Sequence, residues 1–438
     1  MADREASRFN RLVKESSWIV FGQLAAVVGA LVLVRVLTEH LDPAQYGQLA
    51  LGLTVAGLVN QTVFGGISAG IGRLYSIAAE KHDLPVYFRD SVRLLSYATL
   101  VVVAFGMALM AALLWSGHAH WMGLAGAAIV YSVLSGFNGA LGGIQNAARQ
   151  RAVVAFHGGI DAWLKILLAL GIILLLGASG TAVIIGYCCS SLLVTASQAL
   201  FVRNMFHREK SQVAQHSLFL QQMWTFSWPF STWGIFSWMQ QASERWSLAT
   251  YATQDSVGLY AVLSQLGYAP IAILTTMIMT LLAPILYQRA GDGTDRVRNA
   301  NNHRLIWRMT IASLTVTLVG FAAAFLMHDW LFRLLVADEY RHVSHLLPWM
   351  VMAGGLFAAG QFLALKLMSE MRTARMAAAK ITTALLGVAF NFYGAHSAGI
   401  AGVVTALVAF SVVYLSWMIM IARRDPRANG EQAQSLRG

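Results

Sequence analysis

The stretch Ser16–Gln61, SSWIVFGQLAAVVGALVLVRVLTEHLDPAQYGQLALGLTVAGLVNQ, decides how the rest of the chain is interpreted. Its first apolar run, 17–38, carries a single charge, Arg35, near its end. A short polar corner, Glu39–Gly47, follows, and a second apolar run begins at Gly47. Because a membrane-spanning helix needs about 20 mostly apolar residues, this stretch predicts a helical hairpin in a bilayer.

The composition of the whole chain agrees with a membrane environment. Of 438 residues, 57% are apolar and 12% are charged, and the mean hydropathy is +0.59. Soluble domains contain about 25% charged residues, so this chain is expected to fold in a bilayer, where backbone groups must be hydrogen-bonded within helices. The segments between the apolar runs are short, which excludes an enzyme with a separate cytosolic catalytic domain.

Twelve apolar runs of spanning length follow one another, and they predict an all-α polytopic membrane protein with 12 transmembrane helices. The first run is too long for the core of a signal peptide and lacks a small-residue cleavage site, so we expect it to be retained. The runs lie near 17–38, 47–72, 91–115, 121–146, 152–177, 181–201, 217–239, 256–286, 305–328, 344–368, 373–394 and 398–422.

The distribution of basic residues predicts the orientation. The net charge is +11, and with a cytoplasmic N-terminus the inner segments hold 26 of the 31 Lys and Arg residues. The outer segments hold only Arg245, Arg333 and Arg341. Cytoplasmic loops of membrane proteins are enriched in Lys and Arg, so both termini are predicted to be cytoplasmic. Topology therefore explains the basic charge, and no nucleic acid partner is expected.

A weak internal repeat divides the chain. Ala44–Leu51, AQYGQLAL, resembles Asp255–Val262, DSVGLYAV, with Gly and Ala in register 211 residues apart. The repeat splits the twelve runs into two sets of six with the same direction in the membrane. This predicts lobes 1–211 and 212–438, related by a pseudo-two-fold axis along the membrane normal, as in several transporter folds.

Several motifs resemble a known family. Phe21–Leu24, Arg35–Leu37 and the corner Leu41–Gly47 are similar to the start of bacterial polysaccharide biosynthesis membrane proteins. Features typical of later parts of these proteins are Pro229, Arg245, Val257–Tyr260 and Pro284. By these motifs the chain resembles the Wzx-type O-antigen and exopolysaccharide flippases of the multidrug/oligosaccharidyl-lipid/polysaccharide (MOP) exporter superfamily.

The resemblance implies a MATE-like fold, with two six-helix lobes in a V shape around a central cavity. It implies a flippase of the bacterial inner membrane, which moves a polyprenyl-pyrophosphate-linked oligosaccharide from the cytoplasmic to the outer leaflet by alternating access. The implied role is in surface polysaccharide biosynthesis, including O-antigen, lipopolysaccharide and exopolysaccharide. Transport is expected to need no cofactor and to be coupled to a proton or sodium gradient. Polysaccharide polymerase or chain-length machinery is a further expected partner.

Two other functions were considered. A MATE-type ion-coupled antiporter of drugs or organic cations would favour acidic residues in its cavity, whereas Asp161 is the one carboxylate within a predicted span. A membrane enzyme such as a glycan polymerase would need catalytic charges and a large loop at the outer face. The outer segments are short and their charges are scattered, so the sequence favours a transporter over an enzyme.

The fifth predicted helix carries the principal candidate site. His157, Asp161 and Lys165 recur at intervals of four, which places them on one helical face. Ionisable residues within spans are costly and are functional candidates. In the functional interpretation Lys165 attracts pyrophosphate and Asp161 or His157 takes a coupling proton. In the alternative interpretation they are a buried polar group that only stabilises helix packing.

Two arginines and several uncharged residues are further candidates. Arg35 and Arg245, near the outer ends of helices 1 and 7, would receive phosphates or close an outer gate; alternatively they extend to the interface and pair with nearby acidic residues. Pro229 and Pro270 are predicted to kink helices 7 and 8, and no metal site is expected. Polar residues that could bind sugar, or only link helices, are Asn60, Asn138, Gln145, Gln265 and Asn391.

Overall fold

A computed structural model describes Gly22 and residues 24–206, 219–290, 296–369 and 373–423 of the chain. These residues form helices joined by short turns, and no β-strand occurs among them. The predicted all-α class is therefore confirmed for this part of the chain. The predicted lobe boundary between residues 211 and 212 lies outside the described residues.

Twelve helices can be numbered in the described residues, and each corresponds to one predicted apolar run. Short 3-10 segments, Ala119–Trp121 and Asp338–Leu346, precede α4 and α10. The helices are α1 24–40, α2 Pro43–Glu80, α3 Leu84–Trp115, α4 Met122–Ala147, α5 Arg151–Leu176, α6 Gly180–Phe206, α7 Phe219–Tyr251, α8 Gln254–Gly267 with Ala269–Ala290, α9 Arg296–Leu335, α10 Leu347–Ser369, α11 373–397 and α12 400–423.

The helix α2 begins in the polar corner of the first hairpin, and neighbouring residues explain why it begins there. Asp42 caps α2, and its Oδ1 accepts a hydrogen bond from the backbone N–H of Gln45 at 2.7 Å. Pro43 occupies the first turn, where its missing N–H costs nothing. One π-helical turn, Asn60–Phe64, interrupts the α-helical pattern of α2. Such turns are frequent at functional sites.

The last two helices form a tight hairpin. Between α11 and α12, Ala398 and Gly399 have non-helical torsions, with φ of −147° and +55°. A Cβ at Gly394 or Gly402 would overlap the carbonyl oxygen of the other. Backbones eight residues apart touch in this way only if the chain reverses. A straight helix of 51 residues would be about 76 Å long, more than twice the roughly 30 Å of hydrocarbon.

Large apolar surfaces remain exposed on several helices, as expected for contact with lipid. Met107 of α3, Leu175 of α5 and Leu326 of α9 are 64%, 79% and 82% exposed. By length and composition, eight helices within the described residues qualify as membrane spans, or nine if the bent α8 is one span. The predicted count of twelve crossings is not confirmed by this criterion. Only residues 24–40 of α1 enter this count, and the hairpin of α11 and α12 is counted as one helix.

The described residues divide into two compact units. The first comprises Met1–Ala261 with Leu335–Tyr340, and its core includes the fully buried Tyr87, whose hydroxyl donates to the carbonyl of Ile71 at 2.8 Å. The second comprises Val262–Leu334 with Arg341–Gly438. Its core is built mainly from α10 and α12, with single residues of α8, α9 and α11. Small residues allow close packing there: a Cβ at Gly360 would lie 2.5 Å from the ring of Tyr414.

Candidate functional site

Three neighbouring helices of the first unit, α4, α5 and α6, build a polar cluster around Lys165. The Lys165 ammonium donates to Asp161 Oδ2 at 2.5 Å, across one turn of α5. From α6, the hydroxyl of Ser190 donates to Asp161 Oδ1 at 3.1 Å. Both carboxylate oxygens therefore have partners, and the predicted Asp161–Lys165 pair is present.

Two tyrosine rings flank the ammonium group. Lys165 Nζ lies 5.6 Å from the ring centroid of Tyr131 on α4 and 6.0 Å from that of Tyr187 on α6. The two rings are 5.8 Å apart at an angle of 52°. A cation within about 6 Å of an aromatic face is attracted by the ring quadrupole. We call Lys165, Asp161, Tyr131, Tyr187 and Ser190 the lysine–tyrosine site.

The lysine–tyrosine site is chemically suited to an anion joined to a sugar. The side chains of Lys165 and Asp161 are 20% and 18% exposed, so the pair is accessible although it lies within the helical bundle. A phosphate would compete with Asp161 for the ammonium group, because both are anionic hydrogen-bond acceptors. The half-buried ring of Tyr131 could offer a flat apolar face and a hydroxyl group to a sugar ring, whereas Tyr187 is buried and supports the cluster from within the bundle.

The structure places His157 in a different environment. Its side chain is 1% exposed. Nδ1 donates to the carbonyl of Val153 at 2.8 Å, and Nε2 is hydrogen-bonded to the hydroxyl of Ser197 at 3.1 Å. The ring also packs edge-on against Phe201 at 5.3 Å. These partners tie α5 to α6 and lie outside the lysine–tyrosine site.

The predicted uncharged candidates occupy varied environments. Asn60, in the π-helical turn of α2, donates to the hydroxyl of Ser135 on α4 at 2.9 Å. Asn138 is half-buried, and Gln145 is fully buried, with neither amide atom hydrogen-bonded to a described residue. In the second unit, Gln265 is exposed and Asn391 is 1% exposed.

Arg35 makes two short contacts in the first unit. One guanidinium nitrogen donates to the carbonyl of Val336 at 2.6 Å, and another pairs with Glu39 at 2.6 Å. The contact with Glu39 agrees with the second interpretation of this arginine, in which it pairs with a nearby acidic residue. Arg35 therefore links the end of α1 to the segment Leu335–Tyr340.

The helix α7 extends beyond the end of its predicted apolar run, 217–239. The helix continues to Tyr251, so Arg245 lies within it, and Arg245 Nε is buried with no hydrogen-bond partner among the described residues. Glu244, which lies beyond the predicted apolar run 217–239, is 9% exposed and accepts from the hydroxyl of Tyr260 at 2.7 Å and from Gln240 at 3.2 Å. The helix was expected to end earlier, but residues 240–251 contain neither Gly nor Pro, and the partners of Glu244 compensate the burial of its carboxylate.

Removing the Glu244 carboxylate is expected to destabilise the protein. Glu244→Ala leaves the buried hydroxyl of Tyr260 without its acceptor, at a cost of about 1–3 kcal/mol. Glu244→Gln keeps an acceptor oxygen and should lose less, while Glu80→Ala, at an exposed position, serves as the control. Thermal unfolding of the full chain in detergent, followed by size exclusion, measures the difference. Equal stability of Glu244→Ala and the control would contradict the prediction.

The two repeat-related corners are in contact with each other. A Cβ at Gly47 would overlap the carbonyl oxygen of Gln254 and lie 3.1 Å from the N of Gly258. A Cβ at Gly258 would overlap the carbonyl oxygen of Pro43. Gln48 also donates to the side chain of Gln254 at 3.1 Å. The glycines that suggested the repeat thus permit the starts of α2 and α8 to meet backbone to backbone.

The two candidate prolines are associated with different helix shapes. α8 is bent by 41° at the break between Gly267 and Ala269, immediately before Pro270. α7 continues through Pro229 as one helix. A proline removes one backbone donor in both cases, but only α8 is divided at its proline into two helical segments.

Sequence reasoning missed several groups. Tyr187 and Ser190 are three residues apart on α6, which puts them on one face, but nothing local connects that face with Lys165. In the second unit, Lys366 is 3% exposed and donates to the carbonyl of Ala422 at 2.7 Å. Lys380 donates to Gln361 at 3.2 Å. Both lysines lie within predicted apolar runs, 344–368 and 373–394, but they have no regularly spaced polar neighbours that would single them out in the sequence.

A family model described as polysaccharide biosynthesis protein matches residues 12–289 of the chain. Among curated proteins, no relative of this chain was found.

Solved structures with a similar fold are transporters. The lipid II flippase MurJ in an inward closed conformation has a TM-score of 0.70 at 12% identity, covering 94% of this chain and 88% of that one. An inward-facing multidrug resistance MATE transporter of the MOP superfamily has a TM-score of 0.61 at 13% identity, covering 93% and 94%. An outward-facing MATE transporter of that superfamily has a TM-score of 0.58 at 15% identity, covering 93% and 95%. The fold is therefore that of MATE transporters and MurJ.

Proposed function

Since the chain belongs to the family of polysaccharide biosynthesis proteins, we propose that it is a flippase that carries a lipid-linked oligosaccharide across the membrane. The observation that carries this proposal is the lysine–tyrosine site, where a partly exposed ammonium group lies between two aromatic rings. The headgroup of such a substrate combines anionic phosphate with sugar rings, and the site offers a matching group for each. The lipid tail can remain in the bilayer during transfer.

The proposed substrate is a polyprenyl-pyrophosphate-linked oligosaccharide for O-antigen or exopolysaccharide synthesis. It moves from the cytoplasmic to the outer leaflet of the inner membrane, with both termini of the protein in the cytoplasm. Pyrophosphate bound at Lys165 would weaken the ion pair with Asp161. The released carboxylate could then take a proton or sodium ion, which supplies a route for coupling transport to an ion gradient.

One observation favours a second candidate function, a MATE-type antiporter of organic cations. Glu244 adds a buried carboxylate within α7 to the one at Asp161. Both carboxylates are already partnered, Asp161 by Lys165 and Glu244 by Tyr260 and Gln240. An organic cation would also be repelled by the Lys165 ammonium group, so we favour the flippase.

Deletion of the gene in its native host tests the proposal. We expect lipid-linked glycan to accumulate in the inner leaflet and surface glycan to be lost, because the headgroup cannot cross hydrocarbon without a polar path. The wild-type gene should restore both. Glycan lipids are measured by mass spectrometry and the leaflet by protection from a membrane-impermeant glycosidase. Normal surface glycan combined with increased drug sensitivity would reject the flippase and support the antiporter.

A further inference from the structure

The second unit contains a basic recess far along the chain from the lysine–tyrosine site. Its volume is about 410 Å³. None of the lining residues is acidic, and three of them are arginines. The recess is lined by His303, Arg304, Trp307, Arg308, Ile311 and Arg423.

Two helices bring these residues together. Arg304, Trp307, Arg308 and Ile311 have the spacing of three and four residues that puts side chains on one face of α9. Arg423, at the end of α12, places its guanidinium carbon 5.6 Å from the centroid of the Trp307 ring. Arg304 and Arg308 of α9 and Arg423 of α12 therefore line the same recess, together with the ring of Trp307. Arginines that only extend separately to the membrane interface would not need to come together in this way.

The position of the recess along α9 fits the level of lipid headgroups. α9 has 40 residues and is about 60 Å long, while the hydrocarbon layer is about 30 Å thick. Its exposed apolar surface includes Ile311 and Val316, which are 59% and 70% exposed, and continues toward its C-terminus. Trp307 lies one turn before this surface, a position typical of the membrane interface. By the charge distribution, this end of α9 is at the predicted cytoplasmic surface.

The chemistry of the recess matches phosphate. Arginine guanidinium groups bind phosphate oxygens through paired hydrogen bonds, and they are weakly hydrated, which lowers the cost of binding. Basic pockets between membrane helices bind anionic lipid headgroups. We propose that the recess formed by Arg304, Arg308, Arg423 and Trp307 binds the phosphate group of a membrane lipid at the surface where α9 begins. This site is separate from the lysine–tyrosine site, and it is inferred without the transport function proposed above.

Binding to the purified full chain in detergent tests the proposal. The probes are dioctanoyl phosphatidylglycerol, a polyprenyl pyrophosphate and inorganic phosphate, and binding is measured by microscale thermophoresis. Arg304→Gln/Arg308→Gln/Arg423→Gln should weaken phosphatidylglycerol or polyprenyl pyrophosphate binding about tenfold or more, because it removes the charge-assisted hydrogen bonds to phosphate. If the variant binds only one of the two lipid probes more weakly, that probe identifies the natural ligand as a phospholipid or a substrate-type lipid. If only the binding of inorganic phosphate is weakened, the ligand is free phosphate and the lipid is rejected.

A matched variant controls for total charge. Arg73→Gln/Lys81→Gln/Arg149→Gln removes three exposed cations from the first unit, and it should bind every probe as the wild type does. Equal weakening in both triple variants would show non-specific attraction and overturn the proposal, as would wild-type binding by the recess variant. If the recess variant does not fold, Arg304→Gln and Arg423→Gln are measured singly, with the same two outcomes.

Discussion

Replacing Lys165 by alanine is expected to reduce the transport of lipid-linked glycan by about tenfold to a hundredfold. The ammonium group is the cation of the lysine–tyrosine site, and a hydrogen bond to a charged group contributes about 1.5–3 kcal/mol. Each 1.4 kcal/mol corresponds to roughly tenfold. The measurement is surface glycan per amount of membrane protein in the complemented deletion strain.

A double variant separates a transport role from a packing role. Lys165→Ala alone leaves Asp161 without its cation, and an uncompensated charge of this kind destabilises a protein. Lys165→Ala/Asp161→Ala removes both charges and should recover thermal stability but not transport. Lys165→Arg keeps the charge and should recover part of the transport, and Lys81→Ala, at an exposed position, should change neither. Wild-type transport by the double variant would mean that the pair only stabilises packing.

Replacing Gly47 by leucine is expected to separate the starts of α2 and α8. Even a Cβ at this position overlaps the carbonyl oxygen of Gln254, and a backbone atom cannot move aside as a flexible side chain can. Overpacking costs about 1–3 kcal/mol where side chains can adjust, so the loss here should reach the upper part of that range. Thermal unfolding of the full chain in detergent measures the loss.

A second glycine provides the control for this substitution. Gly126 lies within α4, and no atom is within 4 Å of a Cβ built there, so Gly126→Leu should be tolerated. Gly258→Leu should resemble Gly47→Leu, because its Cβ meets the carbonyl of Pro43. A similar unfolding temperature for Gly47→Leu and Gly126→Leu would contradict a backbone contact between the two corners.

The positions of the helices could be predicted because their causes are local. Apolar runs of spanning length mark each helix, and the cap by Asp42 with Pro43 at the first turn marks the start of α2. The end of α7 was predicted twelve residues too early. A run of Gln, Ser and Glu looks like a loop in sequence, while in the structure Glu244 is paired within the first unit. Polar composition did not predict the end of α7 correctly, because the burial of a polar residue depends on partners that are distant in sequence.

The sequence by itself determined an all-helical membrane protein, the place of nearly every helix and the Asp161–Lys165 pair, which are properties of residues at most a few turns apart. Only the tertiary structure decided which helix faces meet. It brought Tyr187 to Lys165, and separated His157 from that site with partners of its own. It also set Arg423 over Trp307. Such contacts depend on the rotation and separation of packed helices, which hydrophobic patterning within one helix does not encode.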